Sequence, residues 1–98
     1  SFIQTIPVKV YPNPVTKGSV AFEFENTEHL TPPLVPPEGG NPPHLSVYNI
    51  FGQLIHTERI YRYQEKTEVN ISGWRKGMYF GVVYSGGKVA GRCKFVVQ

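Results

Sequence analysis

The sequence predicts an all-β fold, an immunoglobulin-like sandwich of about seven antiparallel strands with Greek-key connections. Three observations carry this. Runs rich in β-branched and aromatic residues alternate with the strand period of two. Ten glycines and nine prolines punctuate those runs along the whole chain, as tight turns between short strands require. The last part of the chain has the form of a hairpin, in which the apolar run 77–84 meets Ser85-Gly86-Gly87 and a second alternating arm fills 88–98. Ninety-eight residues suffice for one core and no second, since a chain of this size buries only about two-thirds of its unfolded surface.

Residues 1–7 are expected to be a linker or a loosely held first strand, with the domain proper over 8–98. Val8-Lys9-Val10-Tyr11 alternates as a short strand, and Pro12-Asn13-Pro14 stops it, because proline lacks a ladder donor and fixes φ. Gly18 is expected to close that turn with a positive φ. Over 19–25, Val20, Phe22 and Phe24 form the inward set, and Ala21, Glu23 and Glu25 the wet face. Residues 26–43 hold three Pro-Pro pairs and Gly39-Gly40, which predicts a long loop of polyproline character, either solvated or docked in a partner's aromatic groove.

From His44 the strand pattern returns, with Leu45, Val47 and Asn49 on one side. Asn49-Ile50-Phe51-Gly52 has Asn first and Gly fourth, as in a type I hairpin turn with a glycine bulge. The next strand, 53–61, has no purely apolar face, which places it near a sheet edge. A polar connector over 61–66 leads to Val69 and Ile71, both expected inside. Trp74 is the expected apolar plug of the crossing at 72–77, and Tyr79 is placed to bond back to that crossing through its hydroxyl. In the last arm, Val89, Gly91, Cys93, Phe95 and Val97 are expected inside, with Lys88, Ala90, Arg92, Lys94 and Val96 outside. The arm before it is apolar on both faces, as in a covered central strand or a strip held for a partner.

Chemistry is scarce. The chain has no Asp, so an EF-hand-type calcium loop lacks its ligands and a Ser-His-Asp triad would need Glu as its third member. The single cysteine, Cys93, excludes an intrachain disulfide and a multi-cysteine zinc site. Its place on an apolar strand face marks a buried, inert thiol. His29, His44 and His56 have no short ligand spacing, and Glu23 and Glu25 share a solvated face. No catalytic residue, metal or cofactor is assigned, and the domain is expected not to be an enzyme. Residues 59–98 carry eight of the ten Lys and Arg against two of the seven Glu. A net charge of +3 is modest, and the aromatics lie in strand patterns instead of among basic residues, which argues against nucleic acid as a partner. No window nears the ~20 apolar residues of a membrane helix. The chain opens on Ser1 without a charged-then-apolar leader, so a piece of a longer protein is expected.

Val10-Tyr11-Pro12-Asn13-Pro14 with Gly18, Val47-Tyr48-Asn49 with Gly52, Gly77-Met78-Tyr79-Phe80, Gly86-Gly87-Lys88 and Lys94-Phe95-Val96-Val97 together resemble the C-terminal sorting domain of type IX secretion in Bacteroidetes. The likeness runs over 8–98. It implies a non-catalytic address on a larger cargo that transits the periplasm and reaches the outer membrane, the cell surface or the medium. The implied partners are the outer-membrane translocon or a shuttle protein, and a sortase-like peptidase that removes the domain and joins the cargo to anionic lipopolysaccharide. Tyr11, Pro12, Asn13, Pro14, Gly18, Tyr48, Asn49, Gly52, Gly77 and Tyr79 fall on the family's motif positions. Recognition by the machinery is expected along Gly87, Lys88, Arg92, Lys94, Phe95, Val96, Val97 and Gln98, by strand addition to an exposed edge. Weak self-association through an exposed strand is a further expectation. The alternative, from another class, is a carbohydrate- or surface-binding sandwich of a secreted protein, with Tyr61, Tyr63 and Trp74 as a sugar platform.

Overall fold

The computed structural model describes residues 5–30 and 42–98. Among them are seven strands: β1 Val8–Tyr11, β2 Ser19–Phe24, β3 His44–Asn49, β4 Leu54–Arg59, β5 Lys66–Asn70, β6 Gly77–Ser85 and β7 Lys88–Val97. All strand pairs are antiparallel, in a three-stranded sheet ordered β1-β2-β5 and a four-stranded sheet ordered β4-β3-β6-β7. The links β2 to β3, β4 to β5 and β5 to β6 each cross between sheets, so the sandwich has the Greek-key wiring that the alternation and turn residues predict. Thr27–His29 forms a short 3-10 turn after β2; the proline-rich stretch 31–41 lies outside the described residues.

The two inner walls meet as the period-two pattern requires. Val20, Phe22 and Phe24 of β2 and Val69 of β5 face Leu45 and Val47 of β3, Tyr79 and Val83 of β6, and Phe95 and Val97 of β7, and all are buried. Phe22 and Phe95 pack edge to face across the gap, with centroids 5.6 Å apart, and Tyr79 stacks on Phe95 at 5.6 Å. A Cβ on Gly81 would come within 2.7 Å of the Cys93 sulfur, so glycine makes room for the thiol in the same wall. Ile6 is 1% exposed, and its N–H donates to the Ala90 carbonyl at 2.9 Å. It therefore belongs to the core.

Both hairpin turns form as their residues dictate. Gly52 N–H donates to the Asn49 carbonyl at 3.0 Å, and the Asn49 Oδ1 accepts from Phe51 N–H and Gln53 N–H. Gly52 takes a φ of 80°, which an L side chain rarely adopts. Tyr79 donates its hydroxyl to the Arg75 carbonyl at 2.7 Å, tying β6 back to the crossing before it. β4 is the edge strand expected from its mixed faces.

Four local expectations are corrected. Gly18 has no left-handed φ; what it supplies is space, since a Cβ there would lie 3.1 Å from the Ser72 hydroxyl oxygen. The register slips between Val83 and Tyr84, so that Val83 faces Gly91 but Tyr84 faces Val89. This bulge exposes Val89 and buries Ala90, reversing strict alternation at the start of β7. Ala21 points away from the core yet is buried, because β2 is the middle strand and Tyr11 and Glu68 flank it. Trp74 is half-buried, leaning on Tyr79 with centroids 5.1 Å apart; it covers the rim of the core and does not plug it.

Candidate functional site

The proline motif closes an edge. Both Tyr11-Pro12 and Asn13-Pro14 peptides are cis, and the chain passes from β1 to the far edge of β7. There Val15 N–H donates to the Val96 carbonyl at 2.7 Å and Gln98 N–H to the Val15 carbonyl at 2.9 Å, a parallel bridge between Val15 and Val97. The Asn13 side chain completes the clamp: its Oδ1 accepts from Val96 N–H at 3.1 Å and its Nδ2 donates to the Lys94 carbonyl at 3.4 Å. The edge that strand addition would use is thus already bonded at Lys94, Val96 and Gln98, and at Ala90 through Ile6. No local pattern announces this pairing, since its partners stand some eighty residues apart in the chain.

The residues expected to be recognised separate by depth. Phe95 and Val97 are core, and Gly87 sits in the β6–β7 turn with a φ of 76°. Lys88, Arg92, Lys94 and Gln98 are exposed and Val96 is half-exposed. On a folded domain these last five are the ones a partner can touch.

Arg92, Lys94 and Val96 belong to a larger surface. Alternation turns Tyr48 of β3 and Met78, Phe80, Val82 and Tyr84 of β6 outward, away from the core. The registers align them in rows: Leu54, Tyr48, Phe80 and Lys94; Thr57, Ser46, Val82 and Arg92; Met78 and Val96. Met78 and Phe80 are each 39% exposed and Leu54 is 55% exposed. Ile50 and Phe51, at the tip of the β3–β4 hairpin, are also exposed. β6 is therefore a central strand whose outer side is an open apolar strip. Tyr48 and Tyr84 join hydroxyls at 3.2 Å, and Tyr84 stacks on His44 at 5.0 Å. That hydrogen bond, then burial, raises the Tyr84 pKa, while Arg92 pulls it down.

Other groups are satisfied in separate places. His44 lies on that outer face, with its Nδ1 2.8 Å from the Pro42 carbonyl. His56 is paired with Glu58 at 3.2 Å, and Thr67 donates to the same carboxylate. The side chain of His29 is not among those described. Among the described residues, no group of three or more His, Cys or Glu could hold a metal ion. Burial pushes the Cys93 thiol up to about 11, partly offset by a hydrogen bond with the Gly81 backbone. The aromatic candidates for a sugar platform do not assemble. Trp74 precedes Gly77, at the Asn49 end of the four-stranded sheet, whereas Tyr61 follows Arg59, at the His44 end. Arg59 and Arg62 lie over the rings of Tyr61 and Tyr63, at 4.9 and 5.2 Å.

Fold and surface together define an immunoglobulin-like module whose distinguishing feature is one open sheet face; apart from it, a cleft of about 460 Å³ gathers Glu23, Glu25, Glu28, Glu65 and Lys66, with no histidine or cysteine among its described lining residues. The model of the secretion system C-terminal sorting domain matches residues 9–98, and the chain belongs to that family, the sorting domain of type IX secretion, which is in general non-catalytic. Membership implies interaction with the secretion machinery and export to the cell surface or the medium. Comparison with curated proteins gives no match. Among solved structures, the sulfur carrier protein SoxY from Chlorobium limicola f thiosulfatophilum is similar, with a TM-score of 0.53 and 15% identity over 96% of this chain and 77% of that one. At that identity the likeness concerns the fold alone.

Proposed function

We propose that the domain over 8–98 directs a larger cargo protein through the type IX translocon, from the periplasm across the outer membrane, for cleavage or anchoring at the cell surface. The observation that supports this reading best is the family match over nearly the whole chain. Its immediate partners are the translocon or a shuttle protein, and then a sortase-like peptidase that can join the cargo to anionic lipopolysaccharide. Lys88, Arg92, Lys94, Val96 and Gln98 are the contacts offered by the last strand. Because Asn13 and Val15 already bond that strand's edge, the partner reads side chains on the folded sheet and does not add a strand at its end.

The test is a fusion of residues 1–98 to a reporter carrying a periplasmic leader, expressed in a cell that has type IX machinery. The reporter is expected at the surface or in the medium. Retention in the periplasm at the level of the reporter alone would overturn the assignment.

A further inference from the structure

The outer side of the four-stranded sheet combines two properties that seldom share a soluble surface. Its centre is apolar: Leu54, Tyr48 and Phe80 form one row, with Met78 and Val96 beside it. Its charged side chains are all positive, with Arg92 and Lys94 along β7 and Arg59 on β4; among the described residues of that face there is no Glu. A contiguous apolar patch with a polar rim marks an interaction site more often than it marks idle surface.

We propose that this face is a docking surface for a protein whose own patch has an apolar centre and an acidic border, the border meeting Arg92 and Lys94. The proposal rests on the sorting reading above and names the kind of surface the export receptor presents. The charges select the occupant. A second copy laid face to face would bring Arg92, Lys94 and Arg59 of both chains together with no acid between them, and like charges brought together oppose association. A polyanion would satisfy the basic rim but leave Met78 and Phe80 in water, without the burial that an apolar patch contributes. An acid-bordered apolar protein surface satisfies both halves.

Three variants of the reporter fusion test this: Met78→Ser/Phe80→Ser, Arg92→Glu/Lys94→Glu, and the opposite-face control Lys9→Ser/Glu68→Ser. All substituted positions are exposed, and thermal melts of the purified domains establish that each folds. Export is expected to fall about tenfold or more in the first two variants, the scale on which central interface residues act, and to stay near the parent level in the control. Equal export from all three would overturn the proposal while leaving the sorting assignment intact. So would loss in the charge variant alone, which points to a polyanion, or a dimer in sedimentation that Phe80→Ser dissolves. Failure of the unsubstituted fusion to leave the periplasm would overturn the sorting assignment and the docking surface with it. Should Met78→Ser/Phe80→Ser not fold, the charge variant is paired with Val82→Ser, and export of both at the parent level counts against the proposal.

Discussion

The two sheets differ on the outside far more than on the inside. The outer face of β1-β2-β5 neutralises itself: Lys9 is in register with Glu23, Tyr11 donates to Glu23 at 2.9 Å, and Lys66 lies 3.6 Å from Glu68. Each charge there has an opposite neighbour, and an exposed pair of this kind contributes about 0–1 kcal/mol. Among the described residues, the outer face of β4-β3-β6-β7 has cations without acids, and its apolar side chains Met78, Phe80 and Leu54 are exposed. On the docking proposal, this difference moves recognition to a sheet face, where the motif residues alone put it on a strand end.

If the inner walls are equivalent and only the outer faces differ, Phe22→Ala and Phe95→Ala should cost the same, about 3–5 kcal/mol each in chemical denaturation, since the two rings pack on one another from opposite sheets. A much smaller loss for either would break the equivalence. Gly81→Ala should cost about 1–3 kcal/mol, because its new methyl would meet the Cys93 sulfur; Gly81→Ala/Cys93→Ala should recover most of it.

The clamp on β7 sets the next effect. Asn13→Ala removes two hydrogen bonds to the strand and should cost about 1–2 kcal/mol, with faster amide exchange at Val96 than at Val69, whose sheet it does not touch. Unchanged exchange at Val96 would show that the edge needs no clamp.

The smallest effect concerns Cys93. Burial holds its proton more tightly in the folded state, with the pKa raised from 9.0 to about 11. The thiol's contribution to stability is therefore complete below pH 9 and declines as pH rises from 9 to 11, and Cys93→Ala should remove that part of the pH dependence. At pH 8 the native thiol should alkylate roughly a hundredfold more slowly than in urea, a difference of two pKa units in thiolate population.

Much of this was legible in the sequence because alternation is local. Val20, Phe22, Phe24, Leu45, Val47 and Tyr79 fall inside as their period requires, and the Asn49 to Gly52 turn follows from its own four residues. Where the pattern failed, the cause was non-local. The bulge that turns Val89 out and Ala90 in depends on how β7 meets β6 at a two-glycine turn. The burial of Ala21 depends on neighbours from two other strands. The apolar row Leu54, Tyr48, Phe80 needs the pairing of three strands to exist at all, although the two-sided apolar character of 78–84 did announce that β6 had either a cover or a partner. Asn13 could be seen as part of a turn motif, but its bonds to Lys94 and Val96 could not.

The central claim is tested most directly by comparing accessibility of the two faces during export. Thr57→Cys on the four-stranded sheet and Lys9→Cys on the three-stranded sheet are both exposed positions, and the poorly ionised Cys93 supplies little background. In cells arrested with the fusion engaged in the translocon, an impermeant maleimide should label Lys9→Cys and spare Thr57→Cys, with both labelling fully on the purified domain. Equal labelling of the two positions in the arrested cells would contradict the account.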